Sequence, residues 1–148
     1  MMKLLLSLLS LLIVSNLHSQ TFTSYSITTD ADGAKKVFAT DIDGDGDHDV
    51  YIAGARNKPG HLMRNDGKGD FLPVAQGAWR EDIGHEDMAA LFFDSDGDGD
   101  LDLYVVSGGV ECNPKDPILQ DRIYLNDGKG LFTKATKGTL PEMHDSGS

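Results

Sequence analysis

The chain has 148 residues, 13 basic and 24 acidic, for a formal net charge of −11. The acidity is concentrated: 20 of the acidic residues are Asp, and ten of them fall within residues 41–49 and 94–102, without which the net charge would be −1. No basic footprint for nucleic-acid phosphate exists, the 39% hydrophobic content with clustered charge argues against bulk disorder, and aperiodic glycines without heptads exclude collagen and coiled coil.

In chain order, Met1-Met2-Lys3 supplies a positive start and residues 4–14 an apolar run broken only by Ser7 and Ser10. Asn16-Leu17-His18-Ser19 is a polar close ending on a small residue. This layout predicts a signal peptide over residues 1–19, cleaved near Ser19 or Gln20. The run is shorter than the roughly 20 residues of a transmembrane helix, and no other segment reads as a membrane span. A mature chain that is secreted, whether extracellular or periplasmic, meets an oxidising environment, but Cys112 is the only cysteine and cannot form an internal disulfide.

Two units follow, a first over residues 20–90 and a second over 91–148. Val37-Phe38-Ala39-Thr40 enters the first acidic stretch as a strand-like run, and Val50-Tyr51-Ile52-Ala53 leaves it. His61-Leu62-Met63-Arg64 is a further short strand running into Asn65-Asp66-Gly67-Lys68-Gly69, a strong turn signal, and Phe71-Leu72 begins the return. Trp79 reads as core, with sugar stacking at a blade edge as the alternative, and His85-Glu86-Asp87 as a turn rather than an acid and base pair. The pattern then repeats. Ala89-Ala90-Leu91-Phe92-Phe93 enters residues 94–102, and residues 101–106 leave them. Arg122-Ile123-Tyr124-Leu125 runs into Asn126-Asp127-Gly128-Lys129-Gly130, and Leu131-Phe132-Thr133 returns. The acidic blocks lie 53 residues apart and the Asn-Asp-Gly blocks 61 apart, which places an insertion of 8 within residues 107–121, around Cys112. Each unit is predicted as four short antiparallel strands with no helix. The fold class is therefore all-β, and the unit has the size of a β-propeller blade.

Five carboxylates within nine residues repel one another, and a divalent cation removes that cost. Hard oxygen ligands select Ca²⁺ or Mg²⁺ over softer metals, and no His/Cys cluster suggests zinc. Asp41, Asp43 and Asp45 alternate as positions 1, 3 and 5, with Gly46 at the bend; Asp94, Asp96 and Asp98 do the same with Gly99. Position 7, Asp47 or Asp100, is expected to offer its backbone carbonyl with its side chain facing out, and position 9, Asp49 or Asp102, to close the site. The first six residues fit an EF-hand loop, but position 12 is Ile52 or Val105 where that loop needs a bidentate Glu. The expected arrangement is a cation loop inside a β-hairpin, twice.

The wording Asp-x-Asp-Gly-Asp-Gly-x-x-Asp-x-Tyr, followed by the Asn-Asp-Gly-Lys-Gly-x-Phe block, resembles the FG-GAP/VCBS-type repeat of integrin α-subunit-like β-propellers. The resemblance covers about residues 30–140, and the phrasing is similar to bacterial secreted proteins of the cartilage acidic protein group. It implies Ca²⁺ in each of two hairpins. Asp41, Asp43, Asp45 and Asp49 match the side-chain ligands, as do Asp94, Asp96, Asp98 and Asp102. Asp47 and Asp100 match the carbonyl ligand.

A propeller closes with about 4–8 blades, so further blades are expected from a larger chain or from oligomerisation. Nothing reads as catalytic. Ser107, Ser146 and Cys112 lack the context of a nucleophile, and Gly108-Gly109 lacks the Lys and helix of a phosphate loop. The expected function is a secreted calcium-binding β-propeller repeat protein, not an enzyme, that acts as a binding or adhesion module toward a protein or glycan. The competing reading is the non-catalytic propeller portion of a larger secreted enzyme, such as one acting on polysaccharides. Catalytic residues elsewhere in a longer chain would discriminate the two.

Overall fold

The computed structural model describes residues 33, 36–74, 78–109, 112–113 and 115–143, and the predicted signal peptide lies outside them. The protein is all-β. Strands β1 (Val37–Thr40), β2 (Asp49–Ile52), β3 (His61–Asn65) and β4 (Phe71–Pro73) form one sheet in sequence order. Strands β5 (Glu86–Phe93), β6 (Asp102–Gly108), β7 (Arg122–Asn126) and β8 (Phe132–Lys134) form a second in the same way. Every pairing is antiparallel, so each unit is a four-stranded meander, as expected of a propeller blade. Among the described residues the only helical segments are short 3₁₀ turns at Ala78–Asp82 and Pro117–Leu119. The second lies in the segment inserted between β6 and β7, where Cys112 is a half-buried free thiol.

The strands form where β-branched and aromatic residues alternate. In β6, Leu103, Val105 and Ser107 are fully buried, while Tyr104 and Val106 between them are half-buried on the other face. The buried face of the second sheet packs on the first. Ile42, Tyr51, Ala53 and Leu62 meet Leu103, Val105, Tyr124 and Phe132 in one core. Trp79, from the segment joining the sheets, lies at its centre. Its ring stands edge-on to Tyr51, Tyr124 and Phe132, with centroids 5.8, 5.8 and 5.7 Å away. The placement of Trp79 in the core agrees with the sequence. Val50, Ile52 and Met63 form a smaller cluster on the opposite face of the first sheet.

The junction is also polar. Asp87, at the start of β5, accepts the Tyr51 hydroxyl at 2.8 Å and the Gly54 N–H at 2.6 Å on one oxygen, and pairs with Arg122 at 2.5 Å on the other. Arg122 also donates to the Tyr124 hydroxyl, which in turn donates to Asp82. Lys134 reaches the other oxygen of Asp82. Burial pushes the Tyr51 hydroxyl well above its ordinary value, and Asp87 reinforces that shift. Burial by itself lowers Arg122, but Tyr124, Asp87 and Tyr51 outweigh it, so the guanidinium is held above its ordinary value and stays charged. The stretch His85-Glu86-Asp87 therefore divides. His85 sits in the turn, as expected, whereas Glu86 and Asp87 open a strand, and Asp87 is a buried anchor of the junction.

Candidate metal centres

Each acidic loop joins the first two strands of its sheet, and β-register fixes its two ends: Thr40 pairs with Asp49 at the base of the first, Phe93 with Asp102 at the base of the second. Between these ends the loop is organised by its own carboxylates. Asp41 accepts the N–H groups of Gly44 at 2.8 Å and Gly46 at 3.0 Å, and Asp94 accepts those of Gly97 at 2.7 Å and Gly99 at 3.2 Å. The chain wraps around the position-1 carboxylate because the glycines take positive φ, 95° at Gly46 and 97° at Gly99, which other residues adopt only at a cost.

Position 9 is the buried floor of each loop. Asp49 is 1% exposed and Asp102 fully buried. Asp49 accepts from the N–H groups of Ile42 at 3.1 Å and Asn65 at 2.8 Å. Asp102 accepts from those of Ser95 at 2.9 Å and Asn126 at 2.8 Å, and also takes the Ser95 hydroxyl. Burial pushes the Asp49 carboxyl above its ordinary value, against the two N–H bonds. The Asp96 carboxyl is likewise raised, by desolvation first, with Asp98 and Asp102 adding to it.

One oxygen from each of Asp41, Asp43 and Asp49 lies within 4.8 Å of the others, and Asp94, Asp96 and Asp102 converge in the same way. Positions 1, 3 and 9 of the expected set thus come together in both loops. Position 5 is not part of either converging set: Asp45 and Asp98 use a carboxylate oxygen to accept the N–H of Asp47 at 2.9 Å and of Asp100 at 3.0 Å. Position 7 differs from expectation. The side chains of Asp47 and Asp100 do not face out but lean over the Asn-Asp-Gly turns, so closely that a Cβ at Gly67 or Gly128 would lie 2.5 Å from a carboxylate oxygen. Three acidic side chains converging on one point repel unless a cation or proton intervenes, and an all-oxygen donor set suits a hard divalent ion.

Several participants escaped sequence reasoning. Asn65 and Asn126 tie the two motif blocks together. Besides the N–H bonds to position 9, the Asn65 amide donates to the His48 carbonyl at 3.2 Å and the Asn126 amide to the Leu101 carbonyl at 3.1 Å. Asn126 also donates to the carbonyl of Ile42 at 2.9 Å, joining the second unit to the first loop. Arg64 lies 3.3 Å from Asp43. The spacing of the Asn-Asp-Gly block from the acidic block was visible in the sequence, but the hydrogen bonds between the blocks were not.

Among the described residues no helix is long and apolar enough to cross a membrane. Comparison with curated proteins gives no match, and comparison with solved structures gives none. Residues 41–105, running from the first loop through the second and into β6, match the model of the FG-GAP-like repeat family. Within its two four-stranded antiparallel sheets the chain thus carries a segment, residues 41–105, that matches the FG-GAP-like repeat.

Proposed function

We propose that this protein is a secreted, calcium-binding module of propeller-like blades that binds a protein or glycan rather than catalysing a reaction. FG-GAP repeats are typically non-catalytic binding modules, which supports the coarser part of this reading. The finer part is carried by one observation: two loops 53 residues apart independently converge the carboxylates of positions 1, 3 and 9. Asp41, Asp43 and Asp49 would hold one Ca²⁺, and Asp94, Asp96 and Asp102 the other. The ion would offset the repulsion that otherwise opens each loop, and its role would be structural. Export is supported by the positive start, apolar run and polar close of residues 1–19.

Calcium titration of the chelator-treated full chain tests the assignment. Two equivalents should bind, and the thermal midpoint should rise with Ca²⁺ by mass action. Asp41→Asn and Asp94→Asn should each remove one equivalent. Affinities of extracellular modules are commonly about 10⁻⁴–10⁻³ M, so the titration must reach millimolar Ca²⁺. A folded chain that takes up no Ca²⁺ there refutes the reading.

A further inference from the structure

The two loops are near copies, but their surroundings are not. In register with the repeat, β3 reads His61-Leu62-Met63-Arg64-Asn65 and β7 reads Arg122-Ile123-Tyr124-Leu125-Asn126. The position just before the Asn is thus Arg64 in one unit and Leu125 in the other. Arg64 places Nη1 3.3 Å from Oδ2 of Asp43, one of the three converging residues of the first loop. The side chain of Asp43 is 11% exposed and that of Arg64 50% exposed, so the guanidinium approaches from solvent over a carboxylate that is mostly covered. The corresponding carboxylate of the second loop, Asp96, faces no such group from Leu125, whose side chain carries no charge.

We propose that Arg64 is an internal competitor for the first loop, so that the two loops fill in order, the second before the first. The proposal rests on the reading that both loops take a divalent cation. The physical reason is simple. A cation entering the first loop must share Asp43 with a positive charge already there or displace it, and the arginine loses a charge-assisted hydrogen bond in the process. Among the described residues no ion pair at the second loop imposes such an exchange. Because the pair is exposed on its arginine side, the penalty is modest and salt-dependent.

Isothermal titration calorimetry with CaCl₂ on the full chain tests this. Wild-type protein should show two unequal steps. Asp94→Asn should abolish the tighter one and Asp41→Asn the weaker. Arg64→Leu, which copies the second unit, should tighten the weaker step by about two- to fivefold, the range an exposed ion pair supports, and leave the tighter step unchanged. Arg64→Gln, which keeps most of the apolar stem, should do the same and guards against a packing effect. Leu125→Arg should weaken the tighter step by a similar factor. Equal steps in wild type, or a weaker step unmoved by both Arg64 variants, overturn the proposal while leaving calcium binding intact. No uptake by either loop in any variant overturns the cation reading and the proposal with it.

Discussion

Asp87 accepts the hydroxyl of Tyr51 at 2.8 Å across the junction between the two sheets. The equivalent tyrosine of the second unit, Tyr104, gives its hydroxyl to Asp121 within its own unit. The backbone follows suit: the Gly54 N–H goes to Asp87 at 2.6 Å, and the matching N–H of Ser107 goes to Asp121 at 2.8 Å. One tyrosine thus bonds across the two sheets, and the other bonds on its own side of the junction. Burial first, and then Asp121, pushes the Tyr104 hydroxyl up to about 12.

The junction should fail when Asp87 is removed. Asp87→Ala leaves the Arg122 guanidinium, 3% exposed, without its carboxylate. Breaking a buried pair in this way costs about 3–5 kcal/mol. Urea denaturation should show that loss, and Arg122→Met in the Asp87→Ala background should restore part of it by removing the stranded charge. A double variant no more stable than the single one would place the cost in the bonds to Tyr51 and Gly54 instead.

Position 121 should not be interchangeable with its counterpart. Its equivalent in the first unit is Gly60, where an added Cβ would meet the Tyr51 hydroxyl oxygen at 2.4 Å. Gly60→Asp should therefore disrupt the first sheet. Asp121→Gly is sterically harmless but strands the Ser107 N–H, which is buried, and frees the half-buried Tyr104 hydroxyl. About 1–3 kcal/mol is the expected loss, read from the shift in denaturation midpoint.

The glycines of the Asn-Asp-Gly turns should be intolerant for two separable reasons. Gly67 and Gly128 both hold φ at 72°, and a Cβ on either meets the overhanging Asp47 or Asp100. Gly67→Ala should cost about 1–2 kcal/mol from the backbone conformation alone, plus a steric share. Adding Asp47→Ser should recover only the steric share. Full recovery in thermal melts would mean that the backbone contributes nothing.

Acid should loosen the junction before it protonates most carboxylates. His85 is mostly buried, its Nδ1 has no hydrogen-bond partner among the described residues, and its Nε2 lies 3.7 Å from Asp82. Burial first, and then the charge of Arg122, holds its imidazole below the ordinary value. The folded state thus prefers neutral imidazole, and the unfolded chain takes up a proton first as pH falls past about 6.5. Stability present at neutral pH is lost from there down to the lower folded value. Asp82 desolvates on folding, yet bonds from Lys134 and Tyr124 hold its carboxyl below the ordinary range. Its share is lost only further down, below about pH 4. The urea midpoint should therefore drop between pH 7 and about pH 5.5, and drop less in His85→Gln. An equal drop in both proteins would assign the effect to another group.

What the sequence made legible was local. The strands and both acidic loops could be placed because period-two apolar runs and Asp/Gly spacing act within a few residues. Positions 1, 3 and 9 of each loop could be proposed on spacing alone. The junction could not, because its bonds join residues far apart in the chain: Tyr51 to Asp87 spans 36 positions and Asn126 to Ile42 spans 84. Asp87 reads as one more acid in a turn until β5 is known to begin at Glu86 and to break register between Asp87 and Ala89. Asp47 and Asp100 read as outward-facing because nothing in their own block reveals that the Gly67 and Gly128 turns lie beneath them. Arg64 likewise acquires meaning only once β3 is laid beside the first loop.

Trp79 is the chain's only tryptophan, and its ring is edge-on to aromatic rings from both sheets. Its fluorescence therefore reports a single place, the seam, with no background from a second indole. Far-ultraviolet circular dichroism reports the strands of each sheet separately from that seam. Followed together during unfolding, the two signals distinguish a molecule whose sheets part while intact from one that loses both at once.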